Sequence, residues 1–172
     1  SFRIQNSASG KTLDRLKKVS DFGAMAREDY DMAMRIFEYR DFTRVPFMQN
    51  LHIRAVYDSL AGHGDRYGQL EQFLIAMDQK EPVRLELEGS RRREYPALDG
   101  NVEDQVVIRK NGWGYLLVTV RTEGSFIQTM KKTIAPEDFE EDVCKFSYRI
   151  SPDGLHGGRN FGRLIFESAY EQ

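Results

Sequence analysis

Two patterns of apolar and polar positions divide this chain. Over residues 12–77 the apolar residues recur at helical spacing, and past Lys80-Glu81-Pro82 they alternate every second residue. Thr12 is placed to cap a helix over 13–19, and Ser20 to start a second in which Phe22, Met25 and Ala26 share a face. Tyr30, Ala33, Met34 and Phe37 continue that stripe, with Glu28, Asp31, Arg35 and Glu38 opposite. Pro46 suits the first turn of a third helix, whose expected inner side is Phe47, Leu51, Ala55 and Leu60, with Val56 beside them. Gly62-His63-Gly64 ends it, and a fourth helix over 65–77 turns Leu70, Phe73, Leu74 and Met77 inward. Connections this short make antiparallel neighbours, so residues 12–80 are expected to form a small helical bundle.

In the second half Val83, Leu85 and Leu87 alternate with Arg84, Glu86 and Glu88, which predicts a half-buried strand. A polar loop through Gly100 leads to a strand holding Val106 and Ile108, an Asn111-Gly112 turn, and a strand holding Leu116, Val118 and Val120. An extended stretch over 126–134, an acidic loop over 137–142 and a strong strand over 144–150 follow, with Phe146, Tyr148 and Ile150 on one face. A glycine-rich turn over 151–161 then leads to a last strand over 163–167. Six short strands at this spacing predict an antiparallel sandwich or barrel. Residues 2–5 (Phe2, Arg3, Ile4, Gln5) also alternate, giving a strand stub within 1–11 that either belongs to a preceding sandwich or covers the open sandwich edge. The expected fold class is therefore α+β, in two domains: a helical bundle over 12–80 and an antiparallel sandwich over 81–172.

The order strand, Asn111-Gly112, Trp113, strand, Phe126, Ile134-Ala135-Pro136, strand, Ser151-Pro152-Asp153-Gly154-Leu155, Gly158, Phe161-Gly162, strand carries a resemblance. It resembles the bacterial immunoglobulin-like sandwich modules of the BACON and ASH kind, over roughly residues 83–170. The segment 13–77 joined to such a sandwich also resembles an uncharacterised bacterial family. The resemblance implies an immunoglobulin-like fold that is one strand short at Gln172, and a role as spacer, docking surface or carbohydrate binder.

Composition narrows the partners. Of 172 residues 40% are hydrophobic and 12% aromatic, which suffices for packed cores. Basic and acidic residues number 12 and 12 through Pro82 and 13 and 15 after it, so neither half has the basic excess of a nucleic-acid binder. No apolar run is long enough to span a membrane. Cys144 is the only cysteine, which excludes an intrachain disulfide and a cysteine-based zinc site and favours a reducing, cytoplasmic setting. The chain opens without a Met and reads as an excised piece of a larger protein.

Motifs that suggest chemistry are incomplete. Ser9-Gly10-Lys11-Thr12 lacks the first glycine of a phosphate loop, since Gln5 stands there. Asp21-Phe22-Gly23 has too few residues before it for a kinase. His52, His63 and His156 have no ligand spacing, the acids over 137–142 lack a calcium-loop pattern, and Arg91-Arg92-Arg93 reads as a solvated or ion-paired cluster. No catalytic residue, metal or cofactor is therefore assigned. The expectation is a non-enzymatic scaffold, interaction or spacer module of a larger bacterial protein, whose partner is another protein or a neighbouring domain. The alternative is a carbohydrate-binding module. Candidate binding residues are Trp113 and Tyr115 at the first turn and His156, Arg159 and Asn160 at the second, because loops held by a rigid scaffold often carry function.

Overall fold

The computed structural model describes residues 12–62 and 64–169. The stub 1–11 with its expected strand, the lysine and glycine of the Ser9-Gly10-Lys11-Thr12 motif, and His63 lie outside the described residues, as do residues 170–172. Two compact units emerge, and the chain has the expected α+β make-up. Among the described residues, one unit comprises those through Pro82 together with Trp113–Tyr115; the other comprises Val83–Gly112 and those from Leu116 onward.

The helical unit contains α1 (Val19–Glu28), α2 (Tyr30–Glu38), α3 (Leu51–Leu60) and α4 (Arg66–Ala76). Thr12 and Leu13 are helical, but the expected helix does not continue across 14–18. Instead Asp21 reaches back so that its Oδ2 accepts from the Lys17 and Lys18 amides at 3.1 and 2.8 Å, which starts α1 at Val19 rather than at a Ser20 cap. A carboxylate in the first turn that takes the amides of the N-cap residue and the one before it is a stronger start signal than a hydroxyl. The long stripe across 22–37 is cut at Asp29, whose Oδ1 accepts from Met32 N at 3.0 Å and caps α2.

The third helix also begins later than expected. Pro46 opens only a short 3-10 turn (Pro46–Gln49), and Asn50 then caps α3 by accepting from the His52 and Ile53 amides. This rotates the helix, so that Leu51 is 87% exposed and Ala55 also faces solvent. The half-buried face is Ile53, Val56, Tyr57 and Leu60. In α4, capped by Asp65, the expected Leu70, Phe73, Leu74 and Met77 are buried. Fully buried Phe22 sits at the centre of an aromatic core, its ring 4.9 Å from Phe42 and 6.1 Å from Phe73.

The second unit holds seven strands among the described residues: β1 (Arg84–Glu88), β2 (Val102–Asn111), β3 (Val118–Glu123), β4 (Ile127–Thr129), β5 (Thr133–Ile134), β6 (Val143–Ile150) and β7 (Arg163–Glu167). They form two antiparallel sheets, ordered β1-β2-β6-β4 and β5-β3-β7. The Asn111-Gly112 turn does not close a hairpin, because β2 and β3 belong to different sheets. The extended stretch 126–134 splits in the same way, β4 joining the first sheet and β5 the second.

Alternation then fills one core from both sheets. Register places Val106 opposite Phe146 and Ile108 opposite Cys144 in the first sheet, and Val120 opposite Phe166 in the second. The Phe146 and Phe166 rings meet edge to face at 5.4 Å. Cys144 is buried in this core, and burial pushes its thiol up from the ordinary value, away from a reactive thiolate.

Candidate functional site

Three constellations bring chemistry-bearing side chains together. The first is inside the helical unit. Glu71 lies on α4 between Leu70 and Leu74 and is buried, and its Oε2 pairs with the Nζ of Lys80, which is also buried. Glu71 Oε1 accepts from the Tyr30 hydroxyl and from the Tyr115 amide, each at 2.8 Å. Lys80 Nζ also lies 5.1 Å from the centroid of the half-buried Trp113 ring, a cation–π contact. Tyr115 stacks on Tyr67 at 4.6 Å, and Tyr67 on Tyr30 at 6.4 Å.

Gly114 makes this approach possible. Its φ is +114°, and a Cβ there would collide with Glu71 Oε1 and Lys80 Nζ. The carboxylate is thus fully engaged with a cation, a hydroxyl and a backbone amide. A buried carboxylate satisfied in this way ties three separate stretches of the chain together.

The second constellation ends the core of the two-sheet unit. Arg93 Nη1 donates to Gln105 O at 2.7 Å and to the Tyr148 hydroxyl at 3.0 Å, and lies 3.0 Å from Asp104 Oδ2. The Tyr95 hydroxyl donates to Asp104 Oδ2 at 2.6 Å and also touches the Tyr148 hydroxyl. Hydrogen bonding from Tyr95, then from the Gln105 amide, holds the Asp104 carboxyl below its ordinary value. Burial, followed by the bond to Asp104, pushes the Tyr95 hydroxyl well above its ordinary value.

The folded-state shift of Asp104 is downward. Its contribution to stability is therefore complete above the ordinary carboxylate value of about 3.9 and is lost as pH falls through the lower folded value. Tyr95 is shifted upward, so its contribution is complete below about 10 and is lost as pH rises beyond that. In a carboxyl NMR titration Asp104 will show a depressed midpoint that moves up in Tyr95→Phe. An unchanged midpoint would show that the Tyr95 bond does not set it.

The third constellation is the loop 151–162. Buried Ser151 donates its amide to Phe126 O at 2.8 Å, and its Oγ accepts from Asp153 N at 3.4 Å. A Cβ at Gly154 or at Gly162 would lie 2.7 Å from atoms of Phe126, so both glycines let the loop close onto that residue. Asn160 staples the tip: its Oδ1 accepts from the His156 amide at 3.1 Å, and its Nδ2 donates to His156 O at 2.8 Å. His156 Nδ1 lies 2.9 Å from Gly157 O, which assigns the ring proton to Nδ1. Arg159 is exposed, and Phe161 is 77% exposed at the end of the stapled turn.

The five residues expected from sequence therefore fall in two places. Trp113 and Tyr115 belong to the helical unit, while His156, Arg159 and Asn160 share one loop of the other unit. Three participants escaped the pattern. Glu71 and Lys80 look like surface charges, and only the position of Glu71 between Leu70 and Leu74 hints at burial. Phe161 was read as a turn residue, although a phenylalanine between Asn160 and Gly162 has no strand alternation to bury it.

The model of one family, described as Family of unknown function (DUF5717) N-terminal, matches residues 1–172. No curated protein and no solved structure matches the chain.

Proposed function

The chain belongs to the N-terminal DUF5717 family, and on that premise we propose that it is a non-enzymatic interaction module of a larger bacterial protein, docking a protein partner through the loop 151–162. The observation that carries this reading is an exposed Phe161 on a loop fixed by Ser151, Asn160 and two glycine contacts to Phe126. A stapled loop loses little entropy on binding, and aromatic residues and arginines are enriched in protein interfaces. Leaving that phenylalanine in water forgoes roughly 2 kcal/mol of burial, which a partner would recover.

We read the two-sheet unit as an immunoglobulin-like module of the BACON and ASH kind. Four- and three-stranded antiparallel sheets around one core support that reading. The family description as an N-terminal region supports a place within a longer protein. The carbohydrate-binding alternative draws less support. The Trp113 ring carries Lys80 against it and Tyr115 is stacked on Tyr67, so neither presents a bare platform for a sugar ring.

A photo-crosslinking residue placed at position 161, in cells that make the protein, will give a discrete protein adduct that disappears when Arg159 is also replaced by Glu. The same residue at Leu51, equally exposed, will give none. Equal labelling at both positions, or no adduct at 161, would overturn the docking role of the loop.

A further inference from the structure

β7 forms one edge of the three-stranded sheet: β3 lies on one side of it, and among the described residues no strand lies on the other. From the chemistry of this edge we propose that β7 pairs antiparallel with β7 of a second copy of this chain, joining their three-stranded sheets into one continuous sheet. The proposal rests on the edge itself and not on the docking role of the loop 151–162.

The backbone comes first. Val120 N donates to Lys132 O at 2.7 Å, so the backbone groups of Val120 face the β5 side. Those of Thr119 and Arg121 therefore face β7, where they meet their register partners Glu167 and Ile165. By the same alternation Leu164 and Phe166 turn their N–H and C=O groups away from β3. Backbone donors and acceptors repeating at strand spacing are matched by another extended backbone, which makes the occupant a strand.

Side chains then select which strand. β7 reads Arg163-Leu164-Ile165-Phe166-Glu167, with a basic end, an apolar centre and an acidic end. Turned antiparallel on itself about Ile165, it sets Arg163 of each copy opposite Glu167 of the other, and Leu164 opposite Phe166. These last two are the residues whose backbone groups point outward. The register that matches the charges therefore also closes the ladder, with two bonds at each Leu164–Phe166 pair. Ile165 meets its own counterpart at the two-fold axis, where the side chains of a non-hydrogen-bonded pair come closest.

The charges already on this face fit the same arrangement. Arg163 pairs with Glu123 at 3.3 Å and Glu167 with Arg121 at 2.9 Å within one chain. Across the joined sheets the signs alternate, from Glu123 and Arg163 of one copy to Glu167 and Arg121 of the other, so neither pair has to break.

The other edges do not match themselves. β1 turned about its centre would set Glu86 against the same residue of the second copy, and like charges directly opposite destabilise a pair. β4 and β5 are only three and two residues long. A contact of β7 with itself is isologous and closes at two copies, which spares the edge from open-ended aggregation.

The test is analytical ultracentrifugation of the full chain over a range of concentrations. The parent is expected to sediment as a monomer–dimer equilibrium. Arg163→Glu and Glu167→Arg each set like charges opposite one another at both ends of the pair, so each alone should dimerise about tenfold more weakly or worse. Mixed in equal amounts, the two variant chains regain opposite charges at both ends and should recover that factor as a heterodimer. The mixture is compared with the same chains alone, so a loss of folding stability in either cannot imitate the recovery. Oxidation of Ile165→Cys fixes the register, because thiols at that position meet at the axis and link two copies. Arg163→Cys faces Glu167 of the second copy and should give no such link, and the native Cys144 is buried. A parent that stays monomeric at every concentration would overturn the proposal. So would a mixture no more associated than its components, or equal crosslinking at positions 163 and 165.

Discussion

Gly114→Ala will cost the helical unit about 3–5 kcal/mol. Two costs combine. The φ of +114° is one that L side chains rarely adopt, which is worth about 1–3 kcal/mol. The new methyl also enters the space occupied by Glu71 Oε1 and Lys80 Nζ, forcing a buried ion pair apart. Gly112 supplies the control, because its φ is +118° but its Cβ would meet only ordinary contacts with Val83 at 3.6 Å and beyond. Gly112→Ala should therefore show the backbone cost alone. Urea unfolding followed by fluorescence of Trp113, the only tryptophan, reports this region directly. Equal losses in the two variants would mean that the ion pair is not what Gly114 accommodates.

Lys80→Met will cost about 3–5 kcal/mol, because it leaves the buried Glu71 carboxylate without its cation. Adding Glu71→Met to it will cost much less than a second loss of that size. With both charges gone, no buried charge lacks its counter-ion, and methionines fill similar volume. The double variant will still fall short of the parent. Tyr30 OH and the Tyr115 amide, both half-buried, lose the acceptor they share. A double-mutant cycle by urea unfolding will thus give a coupling of several kcal/mol. Additive losses would show that the two charges do not act as a pair.

Much of the fold was legible because its signals are local. The alternation of Phe146, Tyr148 and Ile150 can satisfy only a strand buried on one face, and the stripe of Leu70, Phe73, Leu74 and Met77 only a helix. Boundaries were less legible, since they depend on which polar side chain reaches which amide. Asp21 and Asn50 each beat the residue that pattern favoured, Asp29 cut a stripe that pattern ran through, and one late start at Asn50 was enough to turn Leu51 outward.

Pairing was less legible still. Nothing in Asn111-Gly112 distinguishes a hairpin from a crossing between sheets, because that choice is made by contacts far along the chain. The hub at Glu71 was hidden for the same reason. Its partners come from positions 30, 80 and 115, and a buried charge reads as a surface one until those partners are seen. The loop at 151–162 was half visible: its glycines and Asn160 announced a turn, and its packing onto Phe126 did not.

Trp113–Tyr115 is an integral part of the helical unit, held there by Glu71. Amide hydrogen exchange at Tyr115 tests it most directly. Protection at the Tyr115 amide is expected to be comparable with that of Leu74 in α4, and to be lost together with the stability of that unit in Gly114→Ala. Exchange at Tyr115 as fast as at the exposed Gly157 would contradict it.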